Sequence, residues 1–158
     1  MKNFMAFSLI ALSFSSFAGT QAELVLQGSV GPILDISIEA EAEASSLPLD
    51  YETTPVVTDL AVGVITEKSN YATGYSVTAV SINNGVLAHE TDTASSVDYH
   101  LYYEGQEIVF NGSTPVEVYT TSTLKGEFTK DLTISYSVPE NLSAGNYEDK
   151  VQFTIQQN

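Results

Sequence analysis

Carboxylates are the residues most able to do chemistry in this sequence. Among 158 residues there are 20 Asp or Glu, five Lys and two His, with no Arg and no Cys. Glu90 and Asp92 are spaced closely enough to form an acid/base couple. They fall in the polar stretch His89 to Ser96, where charged residues are ordinarily just solvated. A second acid series, Asp35, Glu39, Glu41 and Glu43, resembles a ligand set at first sight. It alternates with Leu34, Ile36, Ile38, Ala40 and Ala42, which is the pattern of a strand with one wet face. The Asp-x-Asp-x-Asp-Gly spacing of a calcium loop is missing. His89 and His100 share no ligand spacing, and without Cys no thiolate site for zinc or iron–sulfur can form. No nucleophile elbow, His-Glu-x-x-His or phosphate-binding glycine loop occurs. The expectation is a protein that is not an enzyme and needs no cofactor or metal.

The opening 22 residues differ from the rest. Lys2 precedes an apolar run from Phe4 to Phe17, followed by small residues up to Ala22. This is the pattern of a secretory signal peptide, residues 1–22. Serines interrupt the run, which is shorter than the roughly 20 residues of a membrane span. Cleavage after Ala22 fits best, with cleavage after Ala18 as the alternative. Removal of 1–22 takes one Lys and no acid, leaving a charge of 4 − 20 = −16. Such a chain is repelled by nucleic acid and by anionic lipid. Neither nucleic-acid binding nor membrane insertion is expected.

The elements that would position any site are strands. From Leu34 onward, short alternating runs recur at intervals of about ten residues, with no convincing amphipathic helix. The expected strands are 34–43, 56–65, 75–82, a short edge piece at Val86 and Leu87, 99–103, 106–110 and 116–119, with a closing pair at 132–138 and 151–155. Leu60, Val62 and Val64 read as the inner row of the second. Residues 66–74 and 120–130 read as turns or loops. Asn83-Asn84-Gly85, Glu104-Gly105 and Asn111-Gly112 carry turn signals. About eight or nine short strands at this spacing predict one all-β domain, an antiparallel β-sandwich over residues 23–158.

The clearest pattern is the closing stretch from Leu132 to Ile155, read as a hairpin broken at Pro139, Asn141 and Gly145. Leu132, Ile134, Tyr136 and Val138 form one apolar row; Val151, Phe153 and Ile155 form the other. Tyr147 shares parity with the second row, where its hydroxyl could pin a corner of the sandwich. Asp149 also has that parity, so the inward register is expected to begin at Val151. The chain ends three residues after Ile155, and no later strand is expected to cover this edge.

An uncovered edge binds through its backbone, with alternate side chains filling pockets. Residues 23–30 have the form of a strand that could supply such a partner. Leu24, Leu26 and Val30 fall on one face, Gly28 lies in the same row, and Gly31-Pro32 follows as a hinge. The segment could fold back on its own domain or insert into the next copy.

The ending AGNYEDKVQFTI is similar to the Ala-Gly-x-Tyr-x-Asp-x-apolar-x-apolar ending of the spore coat protein U-like and archaic chaperone–usher fimbrial subunits. EKSNYATGYSVTAVS resembles the Gly-Tyr-x-Val strand of related fimbrial-type domains, and LVLQGSVGPILDISI resembles a donor segment followed by a first sandwich strand. The resemblance implies an incomplete immunoglobulin-like sandwich assembled by donor-strand exchange. It also implies other copies or related subunits, a periplasmic chaperone and an outer-membrane usher as partners. Location would be periplasmic in transit, then at the cell surface or outside the cell. Carried over by position, Leu24, Leu26, Gly28 and Val30 form the inserted row, and Val151, Phe153 and Ile155 line part of the acceptor cleft. The leading expectation is a structural subunit of a secreted or surface fimbria. The alternative is a self-complete secreted sandwich that binds a glycan or a host surface.

Overall fold

The structure, a computed structural model, describes residues 23–158; the expected signal peptide, 1–22, lies outside the described residues. The chain divides at Val30/Gly31 into two units. In the first, Glu23 to Val30 form no strand, and Leu24, Leu26 and Val30 are exposed.

The second unit is an all-β, antiparallel, immunoglobulin-like sandwich. Its strands are β1 (Leu34–Ala40), β2 (Val56–Ser69), β3 (Tyr75–Ser81), β4 (Val86–His89), β5 (Ser96–Tyr103), β6 (Gln106–Ile108), β7 (Val116–Thr121), β8 (Gly126–Ser137), β9 (Tyr147–Glu148) and β10 (Val151–Gln157). One sheet runs β1-β2-β8-β5-β4-β9, with β6 also paired to β5, and the other runs β10-β3-β7. The core between them includes Ile65, Ala79, Val97, Leu101, Leu132 and Ile134. Alternation explains most of it: in β5, Val97, Tyr99, Leu101 and Tyr103 are buried while Ser96, Asp98 and His100 are exposed. Glu104-Gly105, both at positive φ, form the two-residue hairpin turn between β5 and β6, and Asn84-Gly85, also at positive φ, turn the chain from β3 in one sheet to β4 in the other.

Several expectations are corrected. Leu132–Val138 and Val151–Ile155 are not a hairpin. β8 lies inside the first sheet between β2 and β5, and β10 pairs with β3 in the other. The segment 138–150 crosses from one sheet towards the other, and alternation reports half-burial of a strand without naming its partner. β1 ends at Ala40, and residues 42–45 form a 3-10 turn instead of extending the acid row. β4 runs on to His89 and pairs with β5 and, at Ala88 and His89, with β9, while among the described residues Val86 and Leu87 pair with β5 alone.

β2 and β8 run through stretches expected to be loops. Lys68 pairs with Glu127 and Ser69 with Gly126, and the Lys68–Glu127 ion pair (2.9 Å) sits on the exposed face. Two register shifts, between Val57 and Leu60 and between Ala61 and Gly63, interrupt the β2–β8 ladder. Each bulge resets which side chains point inward. Val64 is therefore only half-buried, while Ile65 and Glu67 are fully buried.

Candidate functional site

The two sheets leave one side of the sandwich open. Among the described residues, β1 pairs only with β2, and β10 pairs only with β3. Cα atoms of β1 and β10 approach within 8 Å, yet no ladder joins them among the described residues. An edge strand of this kind presents alternate N–H and C=O groups with no partner.

Between these edges lies an apolar groove of about 230 Å³. Ile38 and Ala40 of β1, with Ala44 and Leu47 of the following turn, make one wall. Val151 and Phe153 of β10 make the other, and Val62, Leu101, Leu132 and Ile134 form the floor. Ile38 is 47% exposed although it belongs to the inward row of its strand. The groove offers apolar walls and a free backbone edge. What it can hold is an extended peptide, with main-chain hydrogen bonds to an edge and alternate side chains in the groove.

Of the residues singled out as an acceptor edge, Val151 and Phe153 line this groove. Ile155 continues the half-buried row beyond it, opposite the fully buried Val77 of β3. The four donor-row positions, Leu24, Leu26, Gly28 and Val30, are exposed in their own segment.

Asp149 is part of the groove lining and was not anticipated there. Its carboxylate accepts from Ser81 Oγ (2.5 Å), Tyr99 OH (2.6 Å) and the backbone N–H of Asn83 (2.9 Å). Burial, then the bond to Asp149, raises the Tyr99 phenol well above the ordinary tyrosine range, so this hydroxyl stays a donor. The sequence signal for this knot is a carboxylate in the parity of an otherwise apolar row.

Another carboxylate, Glu67, is fully enclosed and accepts from Tyr75 OH (2.7 Å) and from Tyr103 OH. Burial raises its pKa; the Tyr75 bond and the charge of Lys130 oppose that shift, and Glu104 adds to it.

The Glu90/Asp92 couple is absorbed by loop structure. Asp92 accepts from Ser143 Oγ (2.6 Å) and from the Ala94 N–H, and these bonds hold its carboxyl below the usual range. Glu90 accepts from Asn146 Nδ2 at 3.2 Å. His89 Nδ1 accepts the N–H groups of Thr91 and Asp92, so Nε2 carries the proton donated to the Ala144 carbonyl. Tyr147 pins the corner beside it, donating to the Ser143 carbonyl at 2.8 Å.

No family model matches this chain, and no curated protein matches it. Similar solved structures include the P pilus rod subunit PapA, at 12% identity and a TM-score of 0.46, covering 77% of this chain and 99% of that one. The CooA pilin subunit from enterotoxigenic Escherichia coli is 14% identical with a TM-score of 0.45, covering 78% of this chain and 89% of that one. A chaperone–usher pilus structure is 12% identical with a TM-score of 0.44, covering 94% of this chain and all of the other.

Proposed function

We propose that this protein is a structural subunit of a secreted or surface fimbria assembled by donor-strand complementation. The observation that carries the reading is the unpaired edge of β10 bordering an open apolar groove. Residues 23–30 of one copy enter the groove of the next, with Leu24, Leu26, Gly28 and Val30 turned inward against Val151, Phe153 and Ile155. The entering strand satisfies the free backbone groups of β10. Its Leu and Val side chains each contribute about 1.5–3 kcal/mol on full burial. Because donor and acceptor belong to different copies, the contact is head-to-tail and propagates as a fibre.

The rest of the reading follows from the same geometry and the N-terminal pattern. Residues 1–22 direct export and are removed. No helix among the described residues is long and apolar enough to cross a membrane. An open apolar groove requires protection before assembly, which is the role a periplasmic chaperone would fill, with an outer-membrane usher organising the subunits. The fibre stands at the cell surface or is released outside.

The absence of Cys permits a direct test. Gln27→Cys is introduced in one preparation. Gln152→Cys, Thr154→Cys or Gln156→Cys, on the outward row of β10, is introduced in another. Mixed and oxidised, one pairing is expected to give an intermolecular disulfide, because the bond forms only when Cβ atoms lie about 4 Å apart. Deletion of residues 23–30 abolishes polymers. Equal cross-linking at all three positions, or polymers that persist without 23–30, overturns the reading.

A further inference from the structure

We propose that Asp149 is a positioning residue for strand capture: its carboxylate ties the two sheets together at one end of the groove and holds the empty groove open. The inference rests on the reading of the groove as a strand acceptor.

Asp149 has the same parity as Val151 and Phe153, so its side chain belongs to the groove row, and it is partly buried. A carboxylate in that position requires donors. Those it has come from both sides of the sandwich. Tyr99 stands on β5 of the first sheet, whereas Ser81 and Asn83 lie at the end of β3 in the second. Ser81 Oγ accepts the Gly85 N–H at 2.7 Å, which leaves its single proton for Asp149. The chain Gly85 N–H to Ser81 to Asp149, met by Tyr99 from the other sheet, is fully directed. Hydrogen bonds to an ionised acceptor are the strong kind.

The walls flanking this tie are apolar and partly exposed, so the hydrophobic effect favours their collapse onto each other. Ile38 against Val151 and Phe153 would bury surface at the expense of the groove. At its far end, Phe153 is braced by the ring of Tyr103, with centroids 6.5 Å apart. At the near end the Asp149–Tyr99 bond adds a side-chain tie beside the backbone pairing of Glu148 with Ala88 of β4. Without it, β10, still paired to β3, is expected to shift towards β1 and narrow the groove.

Two measurements separate this inference from the reading it rests on. The first uses the full chain at concentrations where it is monomeric, with a fluorescent synthetic peptide of residues 23–32 as probe. Asp149→Ala is expected to weaken capture on the order of tenfold, the factor corresponding to one charge-assisted hydrogen bond. Tyr99→Phe, which keeps the ring and removes only the hydroxyl, is expected to weaken it in the same direction. The double variant is expected to be no worse than Asp149→Ala, because both remove one tie. The second measures the gap without peptide, by the distance between spin labels at Ser37→Cys and Thr154→Cys. It is expected to shorten in both Asp149→Ala and Tyr99→Phe. Unchanged gap distances in both variants overturn the role of Asp149, as does capture by Tyr99→Phe equal to that of the parent chain. If the parent chain fails to capture the peptide, the acceptor reading falls and this inference with it. The gap measurement then still decides whether Asp149 spaces the sheets.

Discussion

Phe153 of β10 and Tyr103 of β5 face each other across the sandwich, with ring centroids 6.5 Å apart and planes inclined by 30°. The contact joins a wall of the groove to the buried tyrosine that also bonds Glu67. Phe153 therefore serves both the core and the open edge. Phe153→Ala is expected to lower unfolding free energy by about 2–3 kcal/mol, below the full range for a buried Phe because the ring is only half-buried. Urea denaturation of the monomeric chain measures this loss. The same variant is expected to reduce polymer formation, and unchanged polymerisation would argue that the groove wall is not used.

Glu67 makes stability depend on pH. Its carboxyl is raised from the ordinary 4.5, chiefly by burial. A group raised on folding contributes stability that is fully present below its unfolded pKa and is lost as pH rises through its folded pKa. The contribution of Glu67 therefore declines as pH climbs from about 4.5. Glu67→Gln removes this dependence while keeping a polar group for Tyr75 and Tyr103. A melting series from acid to neutral pH is expected to be flatter for the variant than for the parent. Parallel curves would mean that Glu67 does not change its protonation on folding.

The Tyr147 corner is open to a minimal change. Its hydroxyl donates to the Ser143 carbonyl and lies 2.5 Å from Ser95 Oγ, which in turn accepts the Ser143 N–H. Tyr147→Phe leaves these partners unmatched and keeps the ring contact with His89. The expected cost is about 1–2 kcal/mol, read from the midpoint of chemical unfolding. Because 138–150 links the two sheets, faster amide exchange is also expected at residues 143–147.

Gly74 stands where β3 begins, at φ +78°, and a Cβ there would overlap the Thr121 carbonyl of the neighbouring strand. Gly74→Ala forces both a disfavoured backbone conformation and a backbone clash. A loss of about 2–3 kcal/mol is expected, with a lower melting temperature and no change in the sequence requirements for polymerisation.

How much of this was readable in the residues varies by element. β3, β5 and β10 announce themselves because apolar residues such as Tyr75, Val77 and Ala79, Val97, Tyr99 and Leu101, and Val151, Phe153 and Ile155 recur at every second position, and the turns at Asn84-Gly85 and Glu104-Gly105 carry their own φ requirements. Parity marked Val151 and Phe153 as an inward row, and only the family resemblance suggested a cleft there. The partner of β10 was not readable. Val151 faces Ser81, 70 residues earlier (151 − 81), and no local pattern encodes such a pairing. The bulges in β2 were equally hidden, so Glu67 read as loop and not as core. Lys68 and Glu127 looked like loop residues because they are charged, yet they stabilise each other across neighbouring strands. Asp149 was misplaced for a related reason. Its partners Ser81 and Tyr99 come from other strands, and only their convergence makes a carboxylate tolerable in that row.

The distance along the chain between β3 and β10 governs how the molecule comes into being. Non-local ladders must close long loops before they gain anything, and such closures slow folding. β10 can join its sheet only once the chain between residues 81 and 151 is present, so pairing at this edge is expected to come late. Until that pairing is made, the row of Val151, Phe153 and Ile155 lacks its sheet, and other extended apolar segments are expected to compete for it.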